Sequence, residues 1–124
     1  MADHAKMEAV VQAYVAAFAA GEPEQVVALF AEDATVEDPV GAPVLRGRDA
    51  IREFYTASMA TGATLQLEGP VRLTDEYAVF PFSVHLEWEG QKQRIDVIDT
   101  FRFNAENQVT EMRAYFGAAN MHVV

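Results

Sequence analysis

Apolar and polar residues alternate through a long segment in the second half of the chain, which is the pattern of a β-strand with one buried face. Ile95, Val97, Phe101 and Phe103 lie on that face. Asp99 falls on the same face, between Val97 and Phe101. Because an ionised carboxyl in an apolar core is costly, we expect Asp99 to be either protonated or paired with an arginine. An exposed edge strand is the alternative that would leave it in water.

Two further polar residues interrupt apolar patterns on other predicted elements. Asp38 lies two positions after Val36 and two before Val40, so an extended chain places all three on one face. Tyr14 lies on the apolar side of the first predicted helix, one turn from Phe18. Taken alone, Asp38 before a proline is typical of a turn, and Tyr14 is typical of a core tyrosine. Three such residues on three separate elements indicate a functional site.

The first half of the chain predicts three helices. Asp3 is a suitable N-cap for the first helix, Gly21 a suitable end, and Pro23 suits the first position of the second helix. The predicted helices cover residues 4–20, 23–30 and 48–60, with a short strand at 35–38 and a turn-rich stretch at 39–47.

The second half predicts strands joined by short turns. These strands cover residues 64–67, 71–73, 77–88, 91–103 and 109–116. Pro81 lies inside the third of them and indicates an edge strand or a β-bulge.

Helices followed by antiparallel strands are the order of an α+β domain, and the length suits a single domain over residues 1–124. We expect a strongly curved sheet that forms a cone, with the three helices covering its concave side. Its apolar interior would be lined by alternate residues of two strands, namely Phe80, Phe82, Val84, Leu86, Met112, Ala114 and Phe116.

The composition excludes several functions. A net charge of −10 disfavours nucleic acid and anionic membranes as partners. The chain has no cysteine, and its three histidines are too scattered for a metal site, so we expect no metal. The N-terminal apolar stretch is short and follows acidic residues, unlike a signal peptide, and no apolar run reaches the ~20 residues of a membrane span. We therefore expect a cytoplasmic protein.

Two carboxyl groups and a phenol in an apolar pocket suit proton chemistry on an uncharged substrate. A carboxyl near water, such as Asp38, stays ionised and can act as a base. A carboxyl buried among apolar side chains, such as Asp99, should have a raised pKa and remain neutral. Neutral Asp99 and the Tyr14 hydroxyl can then donate hydrogen bonds to a developing oxyanion. This set of groups predicts the enolisation of a ketone.

Four segments resemble bacterial steroid Δ5-3-ketoisomerases over essentially the whole chain: Ala13-Tyr14, Thr35–Gly41, Ala50–Tyr55 and Ile98–Phe103. The resemblance implies the cone fold of nuclear transport factor 2-like (NTF2-like) proteins, a homodimer, a steroid ketone substrate and no cofactor. It also implies that Asp38 is the base that moves a proton from C4 to C6. Tyr14 and protonated Asp99 correspond to the two donors at the C3 oxygen.

The walls of the expected pocket are apolar or aromatic. We predict that substrate contacts come from Phe54, Tyr55, Phe82, Val84, Phe101, Met112 and Phe116. Some family members have a tyrosine where Phe30 stands and a tryptophan where Phe116 stands. Phe30 removes one phenol behind Tyr14 and leaves Tyr55 as its candidate support.

Two other functions remain open on the same scaffold. A cyclase or epoxide hydrolase would activate water and would need more polar groups near Asp38, where the sequence offers Phe54, Phe82 and Met112. A carrier of apolar ligands would gain little from a buried acid beside a phenol, because desolvated polar groups reduce stability.

Overall fold

The structure is a computed structural model that describes residues 2–124. Three α-helices precede most of the sheet: α1 (His4–Ala20), α2 (Pro23–Val27) and α3 (Arg48–Ala60). The strands are β1 (Phe30–Glu37), β2 (Leu45–Arg46), β3 (Thr64–Leu67), β4 (Arg72–Leu73), β5 (Tyr77–Trp88), β6 (Gln91–Phe103), β7 (Val109–Tyr115) and β8 (Met121–Val123). A 3₁₀-helix, Ala118–Asn120, lies between β7 and β8.

The ends of α1 follow its capping residues, as the sequence predicts. The Asp3 side chain accepts a hydrogen bond from the Lys6 backbone N–H at 3.1 Å. At the other end Gly21 adopts a left-handed conformation with φ of 66°, and its N–H donates to the carbonyl of Phe18. The bounds of α3 are also those predicted.

The strands form one curved, mixed sheet in the order β2-β1-β7-β6-β5-β3. β1 and β7 are parallel, and the other pairs are antiparallel. β4 also pairs with β5, and β8 pairs with the first part of β6. The α1 helix packs against β3, β4 and β5, while α3 packs against β1 and β2, so the helices cover the concave side. This confirms the predicted fold class.

Several elements differ from the prediction. The second helix ends at Val27, and Phe30 begins β1 instead of ending the helix. β1 is therefore eight residues long, since its first residue pairs with Val109 of β7. The structure also contains β2 and β8, which the sequence pattern did not predict. The start of β1 and the whole of β8 depend on pairing partners distant in sequence.

Pro81 does not introduce a bulge between β5 and β6, whose register is continuous from Tyr77–Arg102 to Trp88–Gln91. The Pro81 carbonyl accepts from the Glu68 N–H at 3.0 Å, on the side of β5 that faces β3 and β4. The ring nitrogen lies on the same side, in the gap between those two short strands. The missing N–H is therefore tolerated inside an internal strand, because no ladder bond is needed there.

The core lies between the concave face and the helices. Phe80, Val97, Phe101 and Phe103 are all buried, as the alternation predicts, whereas Ile95 is partly exposed. Asp99 is also on this face and is 0% exposed, so the exposed-edge alternative is wrong. Within residues 2–124, no helix is long and apolar enough to span a membrane.

Candidate active site

A cavity of about 310 Å³ opens between the helices and the concave face of the sheet. This volume lies within the roughly 300–1,000 Å³ of small-molecule sites. The three polar residues that interrupt the apolar patterns all reach it. Its lining comprises Tyr14, Phe18, Asp38, Phe54, Tyr55, Ser58, Thr61, Ala63, Leu65, Phe82, Val84, Leu86, Ile95, Val97, Asp99, Ala114 and Phe116.

Asp99 is the most unusual of these side chains. Its position on β6 is level with Phe80 on one side and Ala114 on the other, both fully or almost fully buried. Neither carboxyl oxygen has a hydrogen-bond partner among the described residues. Burial, and secondarily the nearby charge of Asp38, raises the pKa of Asp99 well above its ordinary value. Of the two alternatives, pairing with an arginine is therefore wrong, and burial without a partner favours the neutral carboxyl, whose O–H is free to donate.

Tyr14 approaches the cavity from α1. Its hydroxyl lies 3.0 Å from the hydroxyl of Tyr55, which comes from α3. The Tyr14 ring packs edge-on against Phe101 with ring centres 5.1 Å apart. Burial raises the pKa of Tyr14 further above its ordinary value, with smaller contributions from Tyr55, Asp99 and Asp38. The phenol therefore stays protonated and can donate, with Tyr55 as the support predicted for it.

Asp38 lies just beyond the end of β1, where Val36 is fully buried. The preceding residue, Glu37, points the other way and forms an ion pair with Arg113 at 3.4 Å. Asp38 is only partly buried, but desolvation still raises its pKa to about 6. It is therefore mostly ionised at neutral pH and is the group of the three that can accept a proton.

The electrostatic character of the cavity follows from these residues. Its described lining contains two carboxyl groups and no lysine, arginine or histidine. No cation is thus positioned to bind an anionic substrate or to hold Asp99 in its ionised form. Within residues 2–124, no three His, Cys, Asp or Glu side chains converge as a metal site requires.

Five of the seven residues predicted to contact the substrate line the cavity: Phe54, Tyr55, Phe82, Val84 and Phe116. Phe101 and Met112 do not, which corrects the prediction for both. They lie on the predicted face, but Phe101 is covered by the Tyr14 ring and Met112 is buried between Phe101 and Val36 in the strand register. Both are core residues behind the site.

Several lining residues were not predicted as substrate contacts. Most are apolar and lie on α1, on β6 or near β3. The sequence pattern predicts which face of an element is buried, but not whether a residue on that face reaches the cavity. Ser58 and Thr61 are the polar members of this group, and only their spacing from Phe54 indicated them in the sequence.

The curved sheet, the three covering helices and the cavity between them define an NTF2-like protein. The structure superposes on that of SalBIII, an epoxide hydrolase/cyclase-like enzyme studied for pyran ring formation in the polyether salinomycin. The TM-score is 0.93 over the full length of both chains, at 25% sequence identity.

The chain belongs to the SnoaL-like family, whose domain matches residues 11–112. A steroid Δ-isomerase from Nocardioides simplex is 40% identical over 119 residues, which make up 96% of each chain. The chain is therefore an enzyme, as the sequence predicts. The relationship to an isomerase also agrees with the resemblance found in its motifs.

Proposed function

We propose that this enzyme isomerises 3-oxo-Δ5-steroids to their conjugated Δ4 isomers through a dienolate intermediate. The observation that carries the proposal is Asp99, a fully buried carboxyl without a partner that opens on the same apolar cavity as Tyr14 and Asp38. The identity to a steroid Δ-isomerase supports the substrate class.

Asp38 acts as the general base in this proposal. Its carboxylate removes a proton from C4, which is acidified by the adjacent C3 carbonyl, and the electrons move into the C3–C4 bond and onto the oxygen. Because its pKa of about 6 lies close to neutral pH, Asp38 can both take the proton and return it.

Tyr14 and neutral Asp99 stabilise the negative charge on the C3 oxygen. Both are protonated in the fold, since burial is the largest contribution to each raised pKa. In an apolar cavity that excludes water, such donors are effective because few solvent dipoles compete with them. Tyr55 supports Tyr14 through the bond between their hydroxyls.

Return of the same proton to C6 completes the reaction. The dienolate collapses, the C3 carbonyl re-forms, and the double bond moves from C5–C6 to C4–C5. No atom is gained or lost, so the reaction needs no co-reactant. The flat, uncharged skeleton of a steroid matches a wall that is mainly aromatic and aliphatic.

Cyclisation of the kind named for SalBIII is the alternative function. It would need polar groups near Asp38 to hold a hydroxyl or a water molecule. The structure places Phe54 and Phe82 in the cavity wall, and Met112 in the core, so the wall offers few such groups. A carrier of apolar ligands would not need a buried Asp99, because burying an unpaired carboxyl reduces stability.

We also propose that the enzyme is a homodimer formed through the outer face of the sheet. Ile98 and Tyr115 pair across β6 and β7 with their side chains directed outward, and they are 46% and 42% exposed. Met121 and Val123 of β8 extend this exposed apolar surface. Apolar area of this kind is typical of a protein contact.

The test of the isomerase proposal is a direct assay. Purified enzyme is mixed with a 5-ene-3-ketosteroid, and formation of the conjugated enone is followed by ultraviolet absorbance. We expect rapid conversion by the parent enzyme and a loss of about 10²–10⁴-fold in Asp38→Asn, the usual effect of removing a general base. Glu37→Gln is the matched control, because Glu37 faces Arg113 instead of the cavity. Absence of turnover by the parent at micromolar enzyme would contradict the proposal.

A further inference from the structure

The cavity contains a second polar region, separate from the three reactive groups. Ser58 and Thr61 both lie in its wall, in a lining that is otherwise mainly apolar. With Phe54 they occupy positions i, i+4 and i+7 along α3 and its C-terminal end, so they form one stripe facing the cavity. The proposed proton transfer does not use either hydroxyl.

The strand register places this region at the end of the cavity remote from Asp99. Asp99 pairs with Phe80, whereas Leu65 of β3 pairs with Val84, and the same register continued would place Ala63 beside Leu86. Thr61 precedes this point by two residues. Along β6, Asp99 and Ile95 are four residues apart, which is about 13 Å at roughly 3.3 Å per residue. The cavity is thus elongated, with polar groups at both ends.

The two hydroxyls differ in what they can offer a ligand. The Thr61 Oγ1 donates its hydrogen to the Ser58 carbonyl at 2.6 Å, so it has only lone pairs left and can accept. The Ser58 hydroxyl can donate as well as accept. A ligand ketone could therefore accept from Ser58 alone. A ligand hydroxyl could accept from Ser58 and donate to Thr61.

We infer that Ser58 and Thr61 bind an uncharged oxygen substituent on the end of the substrate remote from the reacting carbonyl, and that they favour a hydroxyl over a ketone there. This inference rests on the proposed function, because it concerns the far end of the same steroid. The absence of any cation from the described lining, together with the acidic chain, disfavours a sulfate or carboxylate at that position.

Three steroid ketones that differ only at the remote ring carbon test the inference: one with hydrogen, one with a ketone and one with a hydroxyl. For the parent enzyme we expect kcat/KM to increase in that order, by about fivefold for each hydrogen bond gained. Dissociation constants of three planar phenolic steroids with the same substituents, measured by fluorescence, should follow the same order.

Variants separate the two roles. Ser58→Ala should abolish the preference for the ketone over hydrogen and reduce, without abolishing, the preference for the hydroxyl, which can still donate to Thr61. Thr61→Val should remove only the advantage of the hydroxyl over the ketone. Thr61→Ser keeps the hydroxyl and should restore that advantage. Thr56→Val is the matched control, because Thr56 lies on the exposed side of α3 outside the cavity and should leave every ratio unchanged.

The outcomes distinguish a failure of this inference from a failure of the proposed isomerase function. Equal kcat/KM and equal binding of the three compounds by the parent would overturn the inference while leaving isomerisation intact. A ratio of ketone over hydrogen that persists unchanged in Ser58→Ala would overturn it as well. If none of the three ketones is converted, the proposed isomerase function fails, and the binding ratios of the phenolic compounds still decide whether Ser58 and Thr61 recognise oxygen.

Discussion

Asp38 and Asp99 share one cavity but differ in their contact with water. Asp38 is partly exposed at the end of β1, and its pKa rises to about 6. Asp99 is fully enclosed and lacks a hydrogen-bond partner in the described part of the chain, so its pKa is raised well above the ordinary value. The difference in solvation assigns Asp38 the role of base and Asp99 the role of donor.

The pKa of Asp38 predicts a pH profile. Only the ionised carboxylate can remove a proton, so kcat/KM should increase about tenfold per pH unit below pH ~6 and level off above it. Initial rates measured with subsaturating steroid from pH 4.5 to pH 8 give this profile. A midpoint near 4 would mean that water reaches Asp38 freely, contrary to its partial burial.

Tyr14→Phe removes one proposed oxyanion donor. We expect kcat to fall by about 10²–10³-fold with a smaller change in substrate affinity, because the bond is strongest when charge develops on the oxygen. Tyr55→Phe is the comparison variant and should lose less activity, since Tyr55 acts through Tyr14. A larger loss in Tyr55→Phe than in Tyr14→Phe would reverse the two roles.

Single residues of the site were predictable where a regular period applied. The two-residue repeat of a strand placed Asp99 on the buried face, and the helical repeat placed Tyr14 beside Phe18, with which its ring packs at 5.4 Å between centres. The absence of a partner for Asp99 could not be predicted. It depends on which side chains of other elements come close, and alternation along one strand carries no information about them.

At the scale of elements, the ends of α1 were predicted correctly from local residues. The errors in the predicted strands arose where pairing joins residues distant in sequence. Asp3 and Gly21 delimit α1 through bonds within the same few residues. By contrast, Phe30 extends a helical pattern in sequence but begins β1 because β7 pairs with it. The same holds for β8, whose three residues pair with Gln93–Ile95 of β6. A partner distant in sequence can thus override local preference.

Gly21→Ala tests the capping of α1. Gly21 has φ of 66°, a conformation that disfavours a Cβ, so we expect the free energy of unfolding to fall by about 1 kcal/mol. Urea denaturation measures this change. Gly117→Ala is the control, because Gly117 has an extended backbone and open space around a Cβ, and its stability should hardly change. An equal loss in both variants would contradict the capping role of Gly21.

For the whole molecule, the sequence predicted the cone and its concave face but not the depth of each residue within it. Phe101 and Met112 are on the predicted face, yet neither reaches the cavity. The rings of Tyr14 and Phe30 pack beside Phe101, at 5.1 Å and 6.3 Å between ring centres. Depth depends on how closely the helices approach the sheet, which a face pattern does not encode.

A fold that encloses an unpaired acid should lose stability as pH rises. The folded pKa of Asp99 is raised above its unfolded value of about 3.9. Between the two values the folded state holds a proton that the unfolded state releases, so the free energy of unfolding falls by about 1.4 kcal/mol per pH unit. Asp38 likewise lowers the free energy of unfolding as pH rises from about 4 to its folded pKa of about 6. Because both proteins compared below contain Asp38, they share this contribution.

Asp99→Asn removes this titration and keeps a donor of similar shape, so the two proteins test the neutral buried acid directly. Urea midpoints of the parent and of Asp99→Asn are measured at intervals from pH 4 to pH 8. We expect the variant to gain stability steadily relative to the parent as pH increases, while its turnover falls. Midpoints that stay parallel across the range would show that Asp99 is an ordinary ionised carboxylate, which would contradict its role as an oxyanion donor.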